Sequence, residues 1–294
     1  MPHDSHIHLY PPTVYENPHT WAAANSESAW LSLVSPSSGP QLQAFSTVRQ
    51  LLTDMDDAGI EKAVILGWYW ENHDTCVQNI DWQIDWIQQH HDRLIAFAPF
   101  NAKGGPAALD HLKRAFDAGL CGIGELNPPV QGYAYHDETL NRALDLAAQV
   151  DAPVNFHVTD PNTHDYPGKV DTPFLSLCSM AERHPNTKFI FAHLAGMMKL
   201  DQLVFKNNIY LDTAATPLLY PKSIYRKVID TFGIDRLLFG TDYPLRTFPK
   251  SQSRPDFTHH LARIQNSNLS EEELHKITST NLEILLGGTG SVRS

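Results

Sequence analysis

Apolar and polar positions along the chain follow two alternating periods. Short β-rich apolar runs recur, and the longer segments between them keep a helical spacing. The runs are Asp4–His8, Lys62–Trp68, Leu94–Phe100, Cys121–Leu126, Pro153–His157, Lys188–His193, Ile209–Asp212 and Arg236–Gly240. Helical spacing marks Phe45–Ala58, Asp74–His91, Gly105–Ala118, Asp137–Val150, Thr172–Arg183, Leu200–Lys206, Leu218–Phe232, Pro255–Ile264 and Glu271–Leu286. In Asp74–His91 the stripe is Ile80, Ile84 and Ile87; in Asp137–Val150 it is Leu140, Leu144 and Ala147 or Ala148. Ser270 followed by three glutamates opens the last helix with an N-cap and acid in its first turn. Eight strand–helix units in about 250–300 residues predict a (β/α)8 TIM barrel, somewhat distorted. Nearly continuous apolar strands fit a sheet covered on both faces. A doubly wound open sheet is the alternative, but no GxGxxG or GxxxxGK[ST] phosphate loop accompanies it.

Two stretches interrupt the repeat. A polar segment rich in Pro, Asn and Ser follows the first strand, over residues 9–45, and carries Tyr10, Trp21 and Trp30. In a barrel it lies over the C-terminal mouth, so a lid-like insertion is expected, with an inert surface insertion as the alternative. The second stretch, His157–Lys169, follows the fifth strand on the same side. The whole chain, 1–294, is read as one barrel domain.

Composition narrows the function classes. The 294 residues hold 33 acidic and 22 basic side chains, a net charge of −11, and no cluster of Lys and Arg. That balance argues against nucleic-acid binding. No apolar run reaches the ~18–20 residues of a membrane helix. Met-Pro-His-Asp-Ser at the start has neither the basic nor the apolar region of a signal peptide, so a cytoplasmic location is expected. Cys76, Cys121 and Cys178 are an odd count without a CxxC, so neither a disulfide framework nor a thiolate zinc site is expected. Sixteen histidines are the one deviation that carries chemistry.

Side chains at i and i+2 of a strand share a face, so Asp4, His6 and His8 point together. Two imidazoles at the top of a first barrel strand can hold a divalent metal. HxH alone is weak evidence, but other strand ends add to it. Glu125 ends strand four, His157 strand five and His193 strand six, and Asp242 follows strand eight. Catalytic groups of this fold collect at those ends. A metal offsets the cost of burying them together. The bland alternative is a set of unrelated hydrogen-bonded polar residues. His90, His91, His111, His184, His259, His260 and His275 fall on helical segments and receive no role.

The set Asp4-Ser-His6-Ile-His8, Glu125, His157, His193 and Gly240-Thr-Asp242-Tyr-Pro resembles the amidohydrolase superfamily, and more narrowly its amidohydrolase-2 branch of metal-dependent TIM-barrel hydrolases and decarboxylases. The resemblance runs from residue 4 to about 287. It implies that His6 and His8 bind a metal with Asp242 and, in one-metal members, His157, with His193 beside it. In two-metal members His157 and His193 hold a second ion, and a carboxylate on strand four bridges. Glu125 stands at that place, a departure from the decarboxylase-like members. Two divalent ions are offset by Glu125, Asp242 and a hydroxide to near +1, whereas one ion leaves Glu125 as buried excess charge. One or two ions stay open. Zinc suits imidazole and carboxylate ligands, with manganese as the other candidate.

The leading expectation is hydrolysis of a lactone, amide or ester carbonyl in a small substrate. Water on a metal has its pKa lowered from about 15.7 toward roughly 7. Asp242 is the expected base, and His193 polarises the carbonyl. Arg246 is a candidate partner for a substrate carboxylate. Trp68 and Asn127, with Trp70 and Glu71, are candidate pocket residues. The alternative is non-oxidative decarboxylation of an unsaturated or aromatic acid by the same ligand set. A third class, a barrel that binds metal and ligand without turnover, predicts no activity on any substrate. Partners are a small-molecule substrate and, as often with barrels, further copies in a homo-oligomer; neither nucleic acid nor membrane is expected.

Overall fold

Each apolar run becomes a strand; six strands are shorter than their runs, the seventh matches its run, and the first is shifted back by one residue. In the computed structural model, which describes residues 1–38 and 41–287, the strands are β1 (His3–Ile7), β2 (Lys62–Leu66), β3 (Leu94–Ala98), β4 (Gly122–Leu126), β5 (Val154–Phe156), β6 (Phe189–Phe191), β7 (Ile209–Asp212) and β8 (Leu237–Leu238). All neighbours pair in parallel, in the order β1 to β8. The sheet then returns on itself. Ser5 N–H donates to the Phe239 carbonyl (2.8 Å), Asp242 N–H to the His6 carbonyl (2.9 Å) and His8 N–H to the Tyr243 carbonyl (2.7 Å). Sequential order and closure make this a (β/α)8 barrel and exclude the doubly wound sheet.

The seam between β1 and β8 needs a glycine. A Cβ on Gly240 would stand 2.8 Å from the His6 Cβ and 3.1 Å from Ser5 Oγ. The barrel interior is filled by Val64, Leu66, Phe97, Ile190 and Leu238, and Leu282 and Leu285 of the last helix join the same cluster. A larger apolar layer lies between the strands and the outer helices.

Two helices depart from the expected lengths. Leu218–Phe232 is interrupted: a turn at Thr216–Leu219 stops at Tyr220, in extended conformation, and the helix proper is Ile224–Phe232. Pro221 is the reason, since it excludes the preceding residue from helix. Glu271–Leu286 contains a π-helical stretch, Lys276–Thr280, between Glu271–His275 and Asn281–Leu285. There the Ile277 carbonyl accepts a hydrogen bond from Phe239 N–H, docking the helix onto the end of β8.

The segment after β1 is mostly helical. Pro12–Tyr15, Pro18–Asn25 and Ser28–Val34 are short helices. Tyr10, Trp21, Trp30, Phe45, Trp68 and Trp70 interlock in edge-to-face and tilted pairs with ring centroids 5.2–6.5 Å apart. Two carboxylates tie it down. Glu27, fully buried, accepts from Glu71 N–H (2.7 Å) and Asn72 N–H (3.1 Å) at the start of the helix His73–Gln89. Glu71 in turn accepts from Ala29 N–H (2.6 Å) at the start of Ser28–Val34. Each helix start is thus capped by the other segment's acid. No helix among the described residues is long and apolar enough to cross a membrane.

Candidate metal centre

Strand geometry brings the six polar residues at the strand ends together. His6 and His8 leave β1 on one face, with their Nε2 atoms 3.2 Å apart. Glu125 comes from β4, 2% exposed, with Oε2 3.8 Å from His6 Nε2 and 3.5 Å from His8 Nε2. Its other oxygen, Oε1, lies 2.9 Å from His157 Nδ1 and 3.5 Å from His193 Nε2. Those two imidazoles are themselves 3.2 Å apart. Asp242 Oδ1 stands 3.8 Å from His6 and 3.5 Å from His8. Two triads able to hold a metal result, His6–His8–Glu125 and Glu125–His157–His193, sharing Glu125.

Backbone form sets these directions. Gly124 has φ +117°, and a Cβ there would meet the Asn155 carbonyl oxygen at 2.4 Å, so only glycine lets β4 turn Glu125 inward beside β5. His193 (φ +57°) and Asp242 (φ +68°) are both left-handed, a conformation that side chains other than glycine hold only when their surroundings fix it. His193 is fixed by its Nδ1, which donates to the Ala214 carbonyl at 3.0 Å and leaves Nε2 for the cluster.

Behind the ligands stands Asp212, at the end of β7 and fully buried. Its Oδ2 is 2.8 Å from His6 Nδ1 and accepts from Asn155 Nδ2 at 3.2 Å. Its Oδ1 accepts from the His193 and Ala214 backbone N–H groups at 2.9 and 3.1 Å. A carboxylate on the far nitrogen of a ligand imidazole fixes the ring and raises its basicity. Asp4 works on the backbone instead: its Oδ1 accepts from His6 N–H (2.9 Å) and Thr241 N–H (3.2 Å), joining β1 to the turn before Asp242.

The electrostatics call for positive charge. Burial alone would push the His6 imidazolium down, but Asp212, Glu125 and Asp242 overcome it and raise the group to about 10. The same contest, won by Glu125 and Asp242, raises His193 to about 9. Burial would raise Glu125, but His157 and His6 hold it well below the usual carboxylate range. Burial lifts Asp4 to about 7. Each pair of imidazole nitrogens 3.2 Å apart shares either one proton or a cation, because two facing lone pairs would repel. A divalent cation supplies the positive charge in place of protons, so the donor set fits one on its own chemistry.

Of the other candidates, Trp68 stands edge-on to His8 at 5.0 Å and stacks on Tyr69 at 4.2 Å. Asn127 is buried and, with Trp68, lines the cavity above the cluster. Arg246 is not brought in: its guanidinium bonds the Gln41 carbonyl, outside the cavity wall. Trp70 belongs to the aromatic cluster, and Glu71 to the helix cap. His260, one of the histidines on helical segments, faces inward. It is fully buried against Thr216 and Tyr225. Sequence reasoning missed Asp212, Asn155 and Tyr69. Asp212 is the one with a readable mark, a carboxylate at a strand's C-terminal end.

The amidohydrolase-2 family model, described as amidohydrolase, matches residues 3–287. The chain belongs to that family. Solved structures with the same fold include the 5-carboxyvanillate decarboxylase of Novosphingobium aromaticivorans, complexed with manganese and 4-hydroxy-3-methoxy-5-nitrobenzoic acid. It has a TM-score of 0.75 and 14% identity over 98% of this chain and 96% of that one. The 2,6-dihydroxybenzoate decarboxylase from Rhizobium has a TM-score of 0.68 and 17% identity over 97% and 98% of the two chains. A dihydroxybenzoic acid decarboxylase from Polaromonas sp. JS666, with bound manganese and 2-nitroresorcinol, has a TM-score of 0.67 and 16% identity over 97% and 96%. No curated protein matches the chain by sequence. For this member of the family, the His/Glu cluster is a set able to hold a divalent metal.

Proposed function

We propose that the protein is a manganese-dependent decarboxylase of a hydroxylated aromatic acid. The observation that carries this reading is the wall above the cluster. The ligands open into a cavity of about 1150 Å3 faced by Trp68, Tyr69, Leu218 and Leu219. Such a wall suits a flat apolar ring. Lys227, exposed at the rim, is the one Lys or Arg lining the cavity among the described residues, so a substrate carboxylate has the metal cluster as its main counter-charge. Decarboxylases of aromatic acids that share the fold support the same reading, and the manganese in two of them favours that ion over zinc. This ranking reverses the one drawn from sequence, where hydrolysis and zinc stood first.

His6, His8, Glu125 and Asp242 would hold the cation, with His157 and His193 on the other side of Glu125. When bound, it supplies the positive charge that gathers the substrate's oxygen atoms. Asp242, 14% exposed and lining the cavity, is the proton carrier. It accepts the proton of the ring hydroxyl and returns it to the carbon that bears the carboxylate. The ring–carboxylate bond then breaks, its electron pair restores the ring, and carbon dioxide leaves. The phenolate regains a proton from solvent on release. His193, fixed through Ala214, orients the substrate's oxygens. Residues 9–45 act as the lid, with Leu33, Leu42 and Gln43 on the cavity wall.

One observation favours a second reading. Glu125 is shared by both triads, as a bridge between two ions would be, and that arrangement suits hydroxide attack on a carbonyl. Incubating manganese-loaded protein with a panel of hydroxybenzoic acids and of lactones separates the two. Carbon dioxide in equal amount to the released phenol is expected; lactone opening without any carbon dioxide would overturn the decarboxylase reading.

A further inference from the structure

Two polar side chains on the cavity wall are left without a protein partner. Asn127, 4% exposed, and Tyr69, 8% exposed, both line the cavity. Neither the Asn127 side-chain amide nor the Tyr69 hydroxyl makes a hydrogen bond to protein among the described residues. Neither is sealed in the interior, so both keep surface on the cavity. Local sequence explains the free amide. An asparagine ahead of a helical turn ordinarily caps it with its side chain. Asn127 precedes the turn Pro128–Gln131 and makes no such bond. Pro129 removes one of the two N–H groups that a cap would take, and the amide stays free. The backbone of Asn127 is held instead. Its N–H donates to Gln131 Oε1 at 3.1 Å, and Gln131 Nε2 donates to the Trp70 and Phe100 carbonyls at 3.2 and 2.7 Å. One fully buried amide thus ties the end of β4 to the stretch after β2 that carries Tyr69. Tyr69 stands with its ring 5.5 Å from that of His157. A buried amide and a buried phenol in such a place are satisfied by whatever fills the cavity.

We propose that Asn127 and Tyr69 form a clamp of two donors for the carboxylate of the substrate. The inference rests on the aromatic-acid reading above and adds which residues read the group that is lost. Asn127 tops β4, four strands from β8 either way round the closed barrel, and so lies across the mouth from Asp242. The ring hydroxyl that exchanges its proton with Asp242 takes the β8 side, which leaves the carboxylate toward β4. A carboxylate only accepts, and the Asn127 amide N–H and the Tyr69 O–H both donate, so its two oxygens take one each. The cation supplies attraction without direction, whereas donors on a fixed backbone supply direction. They hold the carboxylate across the plane of the ring, the orientation in which the electron pair of the breaking bond enters the ring.

The test compares affinities, so it does not depend on turnover. A panel of ortho-hydroxybenzoates and their primary amides, salicylate and salicylamide first, is titrated by calorimetry into protein saturated with manganese. Metal content is checked in each variant, since Glu125 lies two residues from Asn127. Asn127→Leu and Tyr69→Phe are each expected to weaken the acids about tenfold. Asn127→Asp keeps the size but offers acceptors only. It should weaken the acids about 100-fold and the amides, whose NH2 donates to it, less than about threefold. A merely structural role for Asn127 weakens acid and amide alike. Acid affinities within about twofold of parental in Asn127→Leu and Tyr69→Phe, as when the two groups hold only water, overturn the clamp; so does an unchanged acid-to-amide ratio in Asn127→Asp. No binding by any acid of the panel overturns the aromatic-acid reading and the clamp with it. Carbon dioxide release from the same acids is followed separately. Carbon dioxide from parental protein, with acid affinity indifferent to the variants, sinks the clamp alone. Acid binding that the variants lose, with no carbon dioxide from parental protein, sinks the reaction and spares the carboxylate site.

Discussion

The metal-ligand cluster and the segment 9–45 share the mouth of the barrel but are assembled in opposite ways. Cluster ligands are far apart in sequence, from His6 to Asp242, and each is aimed by its strand and held by buried polar partners such as Asp212. The segment is local, and it is held by the edges and faces of five or six rings and by two exchanged helix caps. The cluster needs the closed barrel to exist. The segment needs only a surface on which Trp68 and Trp70 are already fixed. Damage to one should therefore leave the other in place.

Asp242→Asn puts the largest strain on that separation. It is expected to lower kcat about 10²–10⁴-fold, the usual worth of a positioned acid–base. The melting temperature and the aromatic near-ultraviolet signal should stay at parental values, and near-parental turnover would remove Asp242 as the proton carrier. Trp30→Ala attacks the other side. Trp30 is 1% exposed, and its loss should cost about 3–5 kcal/mol by denaturant unfolding, with protease cutting inside 9–45. Metal content by elemental analysis should hold; metal lost along with the segment would show the two regions to be one unit.

Asp212→Asn sharpens the comparison from within the cluster. His6 keeps its place but loses the carboxylate on Nδ1, and metal affinity should fall about 10–100-fold by competition with a chelator. An unchanged affinity would leave Asp212 a structural role only. The smallest effect belongs to Glu27. Burial raises its carboxyl from 4.5 to about 7 against the hydrogen bonds that lower it. Between those values the folded chain binds a proton that the unfolded chain does not, so Glu27 favours folding below pH 4.5 and loses that contribution as pH rises through 7. Glu27→Gln should remove this share, about 1–3 kcal/mol, from the decline in stability between pH 5 and 8. An identical decline in the variant would assign the slope to other groups, and metal content should follow neither.

The contrast also explains what could be read from the residues alone. Glu125, His157 and His193 were legible because an apolar run that stops at a polar residue marks the top of a barrel strand, and strand period fixes where the side chain points. Asp212 obeys the same rule. Its run, Ile209–Asp212, is four residues long, and there an acid reads as the start of a loop. Arg246 lies four residues past Asp242 in a loop, where no period fixes direction, and it turns to the Gln41 carbonyl. The helices of 9–45 left no trace for a different reason. They are four to eight residues long, two begin at proline, and the acid capping Ser28–Val34 is Glu71, more than forty residues on. A window of local sequence holds none of that information.

The seam joining β1 to β8 has a consequence for the order of events during synthesis. His6 and His8 leave the ribosome first, yet Asp242 arrives only with the last strand, and the Ile277 carbonyl that docks the closing helix comes later still. On the ligand set proposed above, a nascent chain therefore completes its cation site only when nearly all of the protein has emerged. On that ligand set metal loading reports on ring closure, because a chain stopped short of β8 holds both triads but lacks Asp242 and the strand that fixes β1.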